Sequence, residues 1–140
     1  AHDMLVAQGQ LMAGEWLMVN GVSSGVGTAC VQLAHMLGAR TIGTSGSAEK
    51  LQKLKAHGLT EGIATRQADF FERTQEITAG KGVNLIVNTV GGSVLAEELR
   101  CLAYQGRLAI VGYVDGCYFI RIRNNDWMEK NCSYNWSEDW

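Results

Sequence analysis

Along the chain, short apolar runs alternate with stretches in which apolar residues recur every three or four positions, and glycines mark the switches between them. Trp16 to Asn20 is a run of the first kind and reads as a strand. After the turn Gly21-Val22-Ser23-Ser24-Gly25-Val26-Gly27, a helix pattern begins at Gly25. Val26, Ala29, Cys30, Leu33, Ala34 and Leu37 recur at helical spacing as its inward stripe, and Gly38 is placed to end it. Arg40 to Thr44 reads as a second strand. Ser47 can cap the next helix, Leu51 and Leu54 face inward, and Gly58-Leu59 makes the stop. A weaker strand near Gly62 to Thr65 precedes a helix from about Ala68 to Thr78, with Phe70, Phe71 and Ile77 as its apolar contacts. Val83 to Asn88 is a near-continuous apolar run, the pattern of a strand buried on both faces of a parallel sheet. Gly91-Gly92, a helix through Val94, Leu95, Leu99 and Leu102, and a strand from Arg107 to Val111 follow.

Repeated strand-helix units predict an α/β fold: a single Rossmann-type domain with a doubly wound parallel sheet in three α/β/α layers. Parallel neighbours need crossovers, and right-handed crossovers put helices on both faces. Ligands of such sheets sit beyond the carboxyl ends of the strands. The turns at 21–27, 44–47, 88–92 and 111–113 are expected on that rim.

The first turn carries the chemistry. Strand, small-residue turn and helix N-terminus together make an anion site, because the N–H groups of the first helical turn lack intrahelical partners and the helix dipole adds positive potential. A strict Gly-x-Gly-x-x-Gly pattern would need glycine at 22, 24 and 27, and only Gly27 is one. The context therefore carries the reading more than the motif does.

Composition narrows the classes. With 140 residues, 46% hydrophobic and 19% charged, one buried core is expected rather than two domains. A net charge of -2 and no basic run disfavour a nucleic-acid partner. No apolar stretch approaches the roughly 18 residues of a membrane span, and no signal-peptide pattern opens the chain, so a cytoplasmic protein is expected. Cys30, Cys101, Cys117 and Cys132 form no CxxC pair and no cluster with His2, His35 or His57. Buried free thiols are expected, and no metal site.

Two rival classes can be tested on the residues. A Tyr-x-x-x-Lys pair is absent: Tyr104, Tyr113, Tyr118 and Tyr134 are followed four places on by Leu108, Cys117, Ile122 and Glu138. This disfavours a short-chain dehydrogenase. The acidic residue that Rossmann-like methyltransferases, and NAD-selective dehydrogenases too, usually carry at the end of the second strand to grip ribose hydroxyls is also missing, since Thr44-Ser45-Gly46-Ser47 stands there. With no carboxylate to repel a 2′-phosphate, and Lys50 in the first turn of the next helix, NADP(H) is expected over NAD(H). An ordinary solvated lysine is the alternative.

Leu11 to Gly14, Gly21 to Gly27, Gln32-Leu33-Ala34, Leu37-Gly38-Ala39, Gly46-Ser47-Ala48-Glu49-Lys50-Leu51, Gly80-Lys81-Gly82-Val83, Asn88-Thr89-Val90-Gly91-Gly92 and Gly106-Arg107-Leu108 form an ordered set. Together they resemble the quinone oxidoreductase branch of the medium-chain dehydrogenase/reductase superfamily, over residues 1–116. The resemblance implies the NADP(H)-binding domain of a zinc-independent reductase that passes hydride to quinones or activated alkenes. It places Ser24, Gly25, Val26 and Gly27 at the pyrophosphate, Gly46 and Lys50 at the 2′-phosphate, and Val90, Val111, Gly112 and Tyr113 on the nicotinamide side. Thr65 stands where the family often has a phosphate-binding tyrosine, Asn88 replaces a frequent aspartate, and Ala13 replaces a proline. The family's catalytic domain lies largely before this domain, so no catalytic residue is assigned.

Residues 117–140 leave the resemblance. Cys117 to Arg123 is expected as an edge strand, with Tyr118, Ile120 and Ile122 on one side, and such an edge could pair two copies into a homodimer. Trp127, Trp136 and Trp140 stand in a polar tail, as a cover for apolar surface, a partner anchor or a loosely held end. Two functions remain open: the cofactor domain of a quinone oxidoreductase-like enzyme, and a free-standing, non-catalytic dinucleotide-binding or assembly module.

Overall fold

The computed structural model describes residues 5–6, 9–113, 116–122 and 132–137, with the backbone alone beyond residue 110. Its strands are β1 (Trp16–Asn20), β2 (Arg40–Ser45), β3 (Glu61–Ala64), β4 (Val83–Asn88), β5 (Leu102–Tyr113), β6 (Gly116–Ile122) and β7 (Cys132–Ser137). The helices are α1 (Gly25–Met36), α2 (Ala48–Lys55), α3 (Phe71–Ile77) and α4 (Leu95–Cys101), with a short 3-10 turn at Gly92–Val94 before α4.

One sheet has the order β3-β2-β1-β4-β5-β6-β7. The first five of these strands run parallel, and β6 and β7 extend the sheet antiparallel. The chain turns back between β1 and β4, so the sheet has a switch point at that boundary.

Residue parity along the strands sorts the core. Leu17, Val19, Leu85 and Val87 point to the face covered by α1 and α2, where Cys30, Val31, Ala34, Leu51 and Leu54 meet them. Trp16, Met18 and Ile86 point to the other face, with Phe70, Val94 and Cys101 from the α3 and α4 side. This is the three-layer arrangement the alternation predicted.

Three details differ from expectation. The inward stripe of α1 is Gly27, Cys30, Val31 and Ala34, while Val26 and Ala29 face outward. The cause is Gly27: a Cβ there would stand 2.6–2.8 Å from the backbone of Val22, so the helix turns its glycine face to the strand end. Helix α3 begins at Phe71 rather than near Ala68, and its first N–H is capped from α4, Phe71 N donating to Glu97 Oε2 at 3.0 Å. A cap supplied 26 residues away leaves no local start signal.

The third concerns the tail. Residues 111–113 are not a turn: they continue β5 as far as Tyr113, held by antiparallel pairing to Cys117 and Gly116. The expected strand at 117–123 forms as β6 but is not an edge, because β5 pairs one side and β7 the other. The open edge that a homodimer through 117–123 would need is therefore already filled by the chain itself. Trp136 lies on β7 opposite Tyr118, while Trp127 and Trp140 lie outside the described residues.

Candidate functional site

The carboxyl ends of β1, β2, β3 and β4 enclose a cleft of about 180 Å³, lined by Gly21, Ser45, Gly46, Thr65, Arg66 and Val90 among others. Beside it α1 begins. Ser24 is the N-cap, its Oγ accepting from Gly27 N at 3.0 Å, and Thr28 N donates to Ser24 O at 2.9 Å. Those two bonds leave the N–H groups of Gly25 and Val26 with no partner among the described residues. Both residues are exposed, so two aligned donors at the positive end of a 12-residue helix face outward.

The turn is shaped to keep this opening small-walled. Gly21 has φ +78°, a left-handed conformation that suits glycine, and its N–H and that of Val22 both donate to Thr44 O. Ser45 Oγ donates to Ser23 Oγ at 3.4 Å, which ties the end of β2 to the turn.

Gly46 and Lys50 sit together at the start of α2. Ser47 caps that helix by accepting from Lys50 N at 3.2 Å. The Lys50 side chain is exposed and makes no ion pair among the described residues, whereas its neighbour Lys53 pairs with Glu49. Thr65 flanks the same cleft, but its hydroxyl is engaged within its own loop, donating to Asp69 and accepting from Gln67 N.

One residue here escaped the sequence reading. Thr65 N donates to Ser45 O at 2.9 Å, which sets the end of β3 beside the end of β2 and lays Arg66 across Gly46. A basic residue two places after the third strand was the available signal.

Of the nicotinamide-side candidates, Val90 is half exposed at the mouth of the cleft. The backbone of Val111, Gly112 and Tyr113 lies at the end of β5, past its last pairing with β4 at Asn88–Ile110; their side chains lie outside the described residues.

Two asparagines close the floor. Register sets Asn20 and Asn88 side by side as the last residues of β1 and β4, with Thr44 on the other side of Asn20. Beneath them the Glu98 carboxyl is fully buried. It accepts from Asn20 Nδ2 at 2.5 Å and from Asn88 Nδ2 at 2.8 Å. Burial pushes its pKa up to about 8, against the opposing pull of the two amide donors.

The Cys30 and Cys101 side chains are buried and free, as expected; burial raises their pKa to about 11 and about 12, so both are neutral thiols at pH 7. Among the described residues no group of three or more His, Cys, Asp and Glu could hold a metal ion, and no helix is long and apolar enough to cross a membrane.

The model of the family described as zinc-binding dehydrogenase matches residues 25–134. The chain belongs to that family. Within it, the chain falls in the quinone oxidoreductase branch of the medium-chain dehydrogenase/reductase superfamily, as its motifs implied. It is 33% identical to a quinone oxidoreductase-like protein 2 homolog of Nematostella vectensis over 95% of this chain and 36% of that protein. It is 36% identical to the highly-reducing polyketide synthase 1 of Aureobasidium melanogenum, over 82% of this chain and 5% of that protein. Among solved structures, the mycobacterial Rv1454c complexed with NADPH superposes with a TM-score of 0.74 at 32% identity, covering 82% of this chain and 36% of that one. The chain thus spans about a third of the quinone oxidoreductase-like relative and a small part of the polyketide synthase.

Proposed function

We propose that this chain is the NADP(H)-binding domain of a reductase that delivers hydride to a quinone or an alkene conjugated to a carbonyl, the substrate side being furnished by a catalytic domain outside these residues. The observation that carries the proposal is the pair of unpartnered N–H groups at Gly25 and Val26, over a turn where Gly27 leaves no room for a side chain. This is a cradle for a pyrophosphate: fixed donors, a positive helix end, and open space at Gly25 where a side chain would stand.

The dinucleotide fits the residues present. Ser24, Gly25, Val26 and Gly27 would hold the pyrophosphate. Arg66, lying over Gly46, and the exposed Lys50 in the first turn of α2, with no carboxylate at the end of β2, would hold the adenosine 2′-phosphate, with Gly46 leaving the room and Thr65 flanking it. Val90, Val111, Gly112 and Tyr113 would border the nicotinamide. When bound, the nicotinamide supplies the hydride, and the domain's part is to bind it and fix its orientation. No metal is needed for that part.

The relatives support the same reading, because they include quinone oxidoreductases and polyketide synthases, and one solved neighbour is a complex with NADPH. They do not favour the non-catalytic module. The test is an amide NMR titration of the chain with NADPH. The reading requires the largest shifts at Gly25, Val26, Gly46, Lys50 and Arg66; saturation with no shift at Gly25 and Val26 would contradict it.

A further inference from the structure

Glu98 is a fully buried carboxyl for which the binding of a dinucleotide gives no direct use. It lies on α4, under the boundary between β1 and β4, and each of its oxygens accepts from a different strand: Oε2 from Asn20, Oε1 from Asn88. Both asparagines pass the connection outward. Asn88 Oδ1 accepts from the N–H groups of Val90 and Gly91 at 2.8 and 2.9 Å, and Asn88 Nδ2 also donates to Gly91 O at 2.8 Å. Asn20 Oδ1 accepts from Thr44 Oγ1 at 2.8 Å, and the Asn20 carbonyl receives both Thr89 N and Thr89 Oγ1. One carboxyl therefore links three rim segments: the first glycine turn, the end of β2, and the 88–91 loop.

We propose that Glu98 is a positioning residue that, through Asn88, fixes the 88–91 loop at the β1–β4 switch point and so sets the nicotinamide half of the site. The proposal rests on the dinucleotide reading above for its ligand, but the loop geometry is independent of any ligand. Val90 and Gly91 have their N–H groups held by an amide whose own orientation is dictated by Glu98. Asn88 has one side-chain oxygen and one side-chain nitrogen, and with Glu98 accepting, the nitrogen must face inward and the oxygen must face the loop. An amide at position 98 or a carboxylate at position 88 spoils that assignment, and each change is nearly isosteric.

The assignment makes a reciprocal test. In Glu98→Gln the new amide nitrogen confronts an asparagine amide nitrogen, that of Asn20 or of Asn88. In Asn88→Asp the amide nitrogen that donates to both Glu98 Oε1 and Gly91 O is gone, and the one proton Glu98 retains can serve only one of them. In the double variant Asn88→Asp/Glu98→Gln the glutamine nitrogen can donate to the new carboxylate at position 88, and the glutamine oxygen can accept from Asn20. The second oxygen of that carboxylate can then accept from Val90 and Gly91, while the Gly91 carbonyl stays without its Asn88 donor, so recovery is partial. Amide hydrogen exchange at Val90 and Gly91 is expected to accelerate about tenfold in each single variant and to return toward the original rate in the double.

In the binding arm, NADPH affinity should fall about tenfold in the single variants and recover in part in the double, while 2′,5′-ADP, which lacks the nicotinamide half, should lose clearly less than NADPH in each single variant. Unchanged exchange at Val90 and Gly91 in both single variants would overturn the proposal, as would an equal loss of 2′,5′-ADP and NADPH affinity. If neither ligand binds the original chain, the dinucleotide reading fails and the exchange rates alone decide the role of Glu98.

Discussion

Arg66 lies across Gly46 so closely that a Cβ built on Gly46 would stand 2.7 Å from Arg66 Cγ and 2.8 Å from its Nε. The two residues belong to different crossovers, one after β2 and one after β3, and meet only because those strands end side by side. Glycine at 46 is what lets the guanidinium lie over the start of α2. Gly46→Ala should fold normally, since the obstructing atoms belong to a flexible side chain, but swing Arg66 away. NADPH affinity should drop about tenfold with NADH affinity unchanged, consistent with losing one charge-assisted contact. Competition binding with 2′,5′-ADP measures this directly.

Gly27 makes a sharper demand, because the neighbour is backbone. Gly27→Ala has to push α1 off the end of β1, and overpacking of this kind costs about 1–3 kcal/mol. Urea unfolding should show a lowered midpoint, and dinucleotide binding should weaken with it because the Gly25 and Val26 donors move together.

Stability should fall as pH rises through the range set by Glu98. Its carboxyl has a native pKa of about 8 against an ordinary 4.5, so the folded state keeps a proton that the unfolded state has released. The stabilising contribution is present in full below about pH 4.5 and is lost as pH rises toward 8, with a slope of up to about 1.4 kcal/mol per pH unit. In Glu98→Gln that slope should vanish between about pH 5 and 8. Unfolding midpoints across the range give the comparison, and an unaltered slope would mean the proton resides elsewhere.

Much of this was legible in the sequence. Strands β1 and β4 have the expected limits because their apolar runs are bounded by glycine turns, and Ser24, Ser47 and Gly38 act as local punctuation. What escaped depends on long-range contacts. The rotation of α1 follows from Gly27 against Val22, and the start of α3 from Glu97. The Arg66–Gly46 contact follows from the β2–β3 register. Nothing local distinguishes Glu98 from an exposed helix glutamate, although parity along β1 and β4 puts Asn20 and Asn88 on the face that α4 covers. The pairing of β6 by β7 was hidden too, because strand neighbours are not written in a single strand's pattern.

Arg107 illustrates a long-range contact with a stability consequence. Its guanidinium donates to Gly9 O, at 2.9 Å from Nε and 2.6 Å from Nη2, and pairs with Glu15 at 3.2 Å, which joins β5 to the segment before β1. Arg107→Ala should cost about 1–2 kcal/mol, mainly by stranding the partly buried Gly9 carbonyl and Glu15. Hydrogen exchange should then accelerate at Leu11, whose N–H is bonded to Leu5 O in that segment.

Whether the rim between α1 and α2 takes a dinucleotide carrying a 2′-phosphate is decided by calorimetric titration of the chain with NADPH and NADH, repeated on Lys50→Ala and Arg66→Ala. NADPH should bind more tightly, by about tenfold or more, with the preference reduced in each variant while NADH binding is untouched. Equal affinity for the two cofactors in the original chain, or no binding of either at roughly millimolar concentration, would contradict it.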